Sequence, residues 1–148
     1  MSNYLLYQQQ MQLKQQAADK GRQVEVLSFA HVVCRPTEKE ARDYVDYFFG
    51  AHTDWAATDN LVRLQFAHAQ SFPHDLLALI RDRMAMGHGG YPLIGTPVQV
   101  ADGICQLHEA GLGGTTLSFV DYTKEFPYFR DNVLPILEAR GLRRRQRH

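Results

Sequence analysis

The sixteen residues from Gly87 to Asp102, Gly-His-Gly-Gly-Tyr-Pro-Leu-Ile-Gly-Thr-Pro-Val-Gln-Val-Ala-Asp, leave the chain few local choices. Three glycines around one histidine make a loop, and the apolar residues Pro92 to Ile94 read as a very short strand. Thr96, Pro97 and Gln99 then fall at the N-cap, N1 and N3 positions of a helix, a capping box with proline in its preferred place. Val100, Ile104 and Leu107 repeat on one helical face, with Ala101 and Cys105 beside them, and Ala110-Gly111 offers a left-handed C-terminal stop. Thr115 to Val120 follows as an apolar run that reads as a strand buried on both faces. The whole stretch is therefore a strand–helix–strand unit of parallel type.

The same alternation appears upstream. Val24 to Cys34 is rich in β-branched residues and stops at Arg35-Pro36, which predicts a central parallel strand with Phe29, His31 and Val33 on one face. Thr37 and Glu40 form a second capping box, and Ala41, Tyr44, Val45 and Phe48 supply a helical stripe. Residues 1–20 carry a patchier helical pattern ending near Gly21. Between residues 51 and 90 no strand signal appears. Leu61, Val62, Leu64, Phe66 and His68 suggest one helix there, and Pro73, Leu76, Leu77, Ile80 and Met84 a second. A last helix over about 124–140 has Phe126, Phe129, Val133, Leu134 and Leu137 on its core face, with Pro127 in its first turn and Pro135 kinking its end. Neither repeats nor a linker divide the chain, so residues 1–148 read as one α/β domain.

These residues carry a resemblance. Gly95-Thr96-Pro97, Val100-Ala101, Ala110-Gly111, Leu117-Ser118-Phe119, Phe129 and Val133-Leu134-Pro135 resemble the C-terminal signature of the bacterial luciferase-like family of flavin-dependent monooxygenases. Ala30 to Thr37 with Glu40-Ala41 is similar to that family's sixth barrel strand and the helix after it. The resemblance covers roughly residues 24–142 and is weakest between 50 and 86. It implies part of a (β/α)8 TIM barrel: three parallel strands with helices, a helical insertion over 51–90, and a basic tail over 141–148. A full barrel needs about 250 residues, whereas this chain has 148 and is too short to be one; what it resembles is about the last third of the family.

Composition restricts the partners. Sixteen acidic and sixteen basic side chains give no net charge, so no global field draws in nucleic acid or an anionic membrane. Arg140, Arg143, Arg144, Arg145 and Arg147 cluster without interleaved aromatics, which favours a disordered, solubilising tail over a polyanion site. The two cysteines, Cys34 and Cys105, are not a disulfide framework, and neither a signal peptide nor a membrane-length apolar run is present, so a cytoplasmic location is expected. The seven histidines show no metal-ligand spacing, and there is no P-loop, dinucleotide fingerprint or serine-hydrolase elbow.

In parallel βα folds chemistry sits at the carboxyl ends of the strands. Three segments put polar residues there: His31 and Arg35, the loop His88-Gly89-Gly90, and Asp121-Tyr122. The resemblance implies reduced FMN, supplied by a separate flavin reductase, reacting with oxygen to oxygenate a small organic substrate. His31 would then orient or protonate the flavin–oxygen adduct, and Tyr122 would donate to flavin or substrate. Arg35, His88, Gly89, Gly90 and Asp121 are the candidate cofactor-binding residues, with the His88 loop closing as a lid. Where alkanesulfonate-type relatives carry an arginine two residues before the histidine, this chain has Phe29, which points to a neutral or apolar substrate. Each residue has a plainer alternative: a core histidine, a solvated arginine, a simple connector, a packing tyrosine. Three strands alone leave edges unpaired, so a homo-oligomer is expected. The alternative function is a non-catalytic, barrel-derived ligand-binding or subunit-interaction protein.

Overall fold

A computed structural model describes residues 3–66 and 74–144, with the side chains of 3–10 and 74–76 left aside. Its elements are α1 (Asn3–Ala18), β1 (Leu27–Cys34), α2 (Glu38–Val45), a π-helical turn (Asp46–Ala51), α3 (Trp55–Gln65), α4 (His74–Gly87), β2 (Tyr91–Gly95), α5 (Pro97–Glu109), β3 (Gly114–Ser118), α6 (Tyr122–Asn132) and α7 (Leu134–Ala139). His68 and Pro73 of the expected excursion helices, and Arg145 and Arg147 of the basic tail, lie outside the described residues. No helix among the described residues is long and apolar enough to cross a membrane.

Local signals set the helix starts. Thr37 accepts from the Glu40 N–H while the Glu40 carboxylate accepts from the Thr37 N–H, and Thr96 and Gln99 repeat the arrangement with Pro97 in the first turn. Gly111, at φ 89°, ends α5 as glycine should. Asp121 caps α6 by accepting from the N–H groups of Thr123 and Lys124. That cap starts α6 earlier than the sequence suggested, so Pro127 falls in the second turn. At the far end the helix breaks at Val133 and restarts as α7, because Pro135 has no N–H with which to continue the ladder.

The three strands form one parallel sheet in the order β2-β1-β3. Ala30 to Cys34 pair with Tyr91 to Gly95, and Leu27 to His31 pair with Gly114 to Ser118. With two neighbours, β1 is buried from Ala30 to Cys34. β3 is an edge strand and is only partly buried. The expectation that it would be buried on both faces is not met: among the described residues no strand pairs with its outer edge, and none of its residues is fully buried.

The order also revises the strand correspondence. Successive strands of a (β/α)8 barrel lie side by side, yet here β3 neighbours β1 and not β2. β1 is therefore the central strand, with β3 on one edge and β2, reached through the long helical excursion, on the other.

Two layers flank β1. Ala30, Val32 and Cys34 face a core shared with Leu93, Val100, Ala101, Phe119, Phe129, Val133 and Leu137, which come from β2, α5, the turn after β3 and the segment of α6 and α7. Full burial of side chains such as Phe129, Val32, Val100 and Val133 contributes roughly 1.5–3 kcal/mol each. His31 and Val33 point the other way, toward the π-helical turn and the end of α4. Lower on that face cover runs out, leaving Phe29 37% and Leu27 62% exposed. The excursion helices pack on each other through Arg81, which pairs with Asp59 and stacks 4.1 Å over the Trp55 ring, while Leu61 and Leu64 remain exposed.

Candidate functional site

His31 is set by strand register. It lies opposite Ser118 on β3, and parallel pairing stands both side chains on the same face. The His31 Nδ1 to Ser118 Oγ distance is 2.9 Å. The Ser118 hydroxyl also reaches the Ala30 carbonyl at 3.5 Å. The ring meets Phe48 edge-on, with centroids 6.0 Å apart, because the π-helical turn rotates Phe48 over the sheet. His31 is 4% exposed, and its Nε2 is buried without a hydrogen-bond partner among the described residues. Burial pushes the imidazole pKa below its ordinary value, with the Glu125 carboxylate opposing the shift. The ring is therefore neutral near pH 7.

The glycine-rich loop closes over this histidine. A Cβ added to Gly87 would stand 2.3 Å from His31 Cγ, and one added to Gly90 would stand 3.0 Å from the His31 nitrogen and 3.1 Å from Phe29 Cε1. Glycine is required at Gly87 for the backbone to approach so closely, and at Gly90 a side chain would be tightly crowded. Between them the chain turns through two left-handed residues, His88 at φ 54° and Gly89 at φ 84°, both exposed. His88 tolerates that conformation at some cost.

Arg35 lies at the end of β1 and faces a second feature. Its guanidinium donates to Glu125 at 2.5 Å and to the Cys34 carbonyl at 2.9 Å, and it stacks 4.0 Å over the Tyr44 ring. Glu125, 6% exposed, also accepts from the Asp121 N–H. These groups, with Cys34, Lys124 and Tyr128, line a crevice of about 410 Å³ between the end of β1, α2 and α6. Burial, with smaller contributions from nearby charges, raises the Tyr44 and Tyr128 phenols. Asp121 is held at about 2 by hydrogen bonds from Thr123 and Lys124.

The candidates from sequence thus divide. His31, Gly90 and the backbone of the His88-Gly89 turn belong to the face covered by α4. Arg35 and Asp121 belong to the crevice, where both already serve structural contacts. Tyr122 is 56% exposed on the first turn of α6, its ring 5.4 Å from Phe119 and its hydroxyl 3.5 Å from the Leu117 carbonyl. Sequence reasoning passed over Ser118, Phe48 and Glu125 as site residues, and placed Gly87 in the loop without its contact to His31. Ser118 had a weak signal, as a polar residue between Leu117 and Phe119 at the end of the strand. Glu125 had none, since nothing local distinguishes it from a solvated helix residue.

With this geometry in hand, the profile of the luciferase-like monooxygenase family matches residues 6–113. Among solved structures, riboflavin lyase RcaE, crystallised with modified FMN and riboflavin as substrate, is similar with a TM-score of 0.68 and 22% identity, over 95% of this chain and 37% of that one. DmoA from Hyphomicrobium sulfonivorans gives 0.73 and 19%, over 95% and 36%. The long-chain alkane monooxygenase LadA gives 0.76 and 21%, over 99% and 37%. The chain spans a little over a third of the length of each.

Proposed function

The chain belongs to the luciferase-like monooxygenase family, and from that premise we propose that it is a flavin-dependent monooxygenase, or the C-terminal portion of one, that uses reduced FMN and oxygen to oxygenate a small organic substrate. The observation that carries the proposal is the His31 Nε2, a buried ring nitrogen without a partner among the described residues, on the sheet face closed by a glycine loop. A flavin fits these residues in two respects. Its polar N–H and C=O edge matches an unpartnered ring nitrogen, and its flat ring matches Phe29, a partly exposed aromatic on the same face.

When bound, the flavin supplies the oxygen activation that side chains do not provide. The chain's own residues position and protect. His31, neutral because it is buried, accepts a hydrogen bond at Nε2 and orients the donor that makes it. Gly87 to Gly90 lift to admit the ligand and then exclude water. Tyr122 supplies a phenol hydroxyl at the start of α6, and Arg35 with Asp121 holds the end of β1 in register with α6. With Phe29 in place of a cation, the substrate is neutral or apolar.

Two partners follow from the same reading. A separate reductase delivers reduced FMN. The outer edges of β2 and β3 and the exposed Leu27 favour a second subunit over this face, as a homo-oligomer. The same open edges favour the alternative reading, a non-catalytic ligand-binding or subunit-interaction module. Titration with FMN, oxidised and anaerobically reduced, separates the two. Saturable binding of the reduced form that weakens in His31→Ala supports the monooxygenase, and no binding in either redox state leaves the module.

A further inference from the structure

The contacts of Ser118 carry a conclusion about the chemistry of His31. A serine hydroxyl has one proton and two lone pairs. Ser118 Oγ lies 2.9 Å from His31 Nδ1 and 3.5 Å from the Ala30 carbonyl, which can only accept. If the hydroxyl proton goes to that carbonyl, Ser118 must accept from an Nδ1–H. The opposite tautomer would satisfy Nδ1 through the serine proton but leave an Nε2–H buried without an acceptor among the described residues. A buried donor left unpaired is rarer in proteins than an under-used lone pair. Both considerations select the same tautomer.

We propose that Ser118 is a positioning residue that fixes His31 in the Nδ1–H form, so that the bare Nε2 lone pair receives an N–H or O–H donor on a ligand entering beneath Gly87 to Gly90. The proposal rests on the reading that this face is the ligand site, and it deepens that reading by stating which hydrogen-bond polarity the site demands. A ligand offering only acceptors at this point leaves Nε2 as it is. A ligand offering a donor satisfies it. Strand register makes the device rigid, since His31 and Ser118 are paired across β1 and β3.

The test is nitrogen-15 NMR of the imidazole in the full chain, without and with anaerobically reduced FMN. In the wild type the expected spectrum has a pyrrole-type Nδ1 and a pyridine-type Nε2. Ser118→Ala should give a mixture of tautomers, and Ser118→Thr, which keeps the hydroxyl, should restore the single form. Reduced FMN should shift Nε2, and Ser118→Ala should weaken its binding about tenfold, the loss of roughly one buried hydrogen bond. An Nε2–H tautomer in the wild type, or an unchanged single tautomer in Ser118→Ala, overturns the positioning role. The wild-type spectrum needs no variant to fold. If FMN fails to bind at all while the tautomer result holds, the flavin reading falls and the Ser118 assignment stands. If FMN binds both proteins equally and leaves Nε2 unmoved, the flavin reading stands and this inference falls.

Discussion

The α-carbon of Gly87 lies against the His31 imidazole so closely that a methyl group there would sit 2.3 Å from Cγ, 2.6 Å from Cβ and 2.7 Å from Nδ1. No rotation of a buried ring relieves contacts to both its root and its edge. α4 therefore ends on the histidine, and the glycine, more than any polar bond, lets the loop seal it.

Gly87→Ala should accordingly destabilise the protein by about 1–3 kcal/mol, the usual cost of overpacking, or lift the loop and expose His31. Gly50→Ala is the control, since nothing lies within 4 Å of its Cβ position, and its effect should stay within about 0.5 kcal/mol. Urea denaturation of both variants measures the first outcome. Faster modification of His31 by diethyl pyrocarbonate in Gly87→Ala reveals the second. Equal behaviour of the two variants would remove the close approach from the account of the site.

Arg35 and Glu125 join the end of β1 to α6. Glu125→Ala strands a partly buried guanidinium, so the cost should fall toward the lower end of the roughly 3–5 kcal/mol seen when one partner of a buried pair is removed. The lower end applies because Arg35 keeps the Cys34 carbonyl and the Tyr44 ring face. Pairing it with Arg35→Ala in a double-mutant cycle should give a coupling of about 1–3 kcal/mol. Additive effects would mean that the pair is incidental to the packing of α6.

Acid should destabilise the fold in two stages. The His31 pKa lies below its ordinary 6.5 in the folded protein, so below that value the unfolded chain binds the proton first and stability declines as pH falls. Asp121, held at about 2 against an ordinary 3.8, adds a second loss as pH falls from near 3.8 toward 2. His31→Gln removes the first stage and leaves the second, while Asp121→Asn does the reverse. Denaturant midpoints followed from pH 7 to acid distinguish them, and a wild-type midpoint flat between pH 7 and 5 would contradict a neutral buried His31.

Much of this arrangement was legible in the sequence because its signals are local. Both capping boxes, the αL glycine after α5 and the β1 core depend on neighbours within a few residues, and each appears where the pattern put it. Strand order is not local. Whether β3 pairs with β1 or β2 depends on which edge the excursion occupies, and the apolar run over Thr115 to Val120 reads the same either way. The site divided for the same reason. His31 and Arg35 are four residues apart and would share a face on a continuing strand, but β1 ends at Cys34 and the chain turns at Pro36, so Arg35 falls in different surroundings. Glu125, which organises the crevice, becomes visible only when α6 is placed beside β1.

The two thiols report on that placement. Cys34 is 4% exposed at the top of β1, where burial raises its pKa and the Arg35 charge pulls it back only in part, leaving it at about 11. At about pH 8 roughly one molecule in a thousand would carry the thiolate. Cys105 is half-buried on α5, with the Arg140 guanidinium 3.3 Å from its sulfur. An alkylating reagent should therefore label Cys105 first and Cys34 at least tenfold more slowly, with the two rates converging in denaturant. Glu125→Ala frees Arg35 to turn toward the Cys34 sulfur and opens the crevice, so it should raise the Cys34 rate while leaving Cys105 unchanged. Mass spectrometry of the labelled peptides over time reads both rates in one experiment. Equal rates in the native wild type would mean that the end of β1 is not closed by α2 and α6, and the crevice with its ion pair would lose its physical basis.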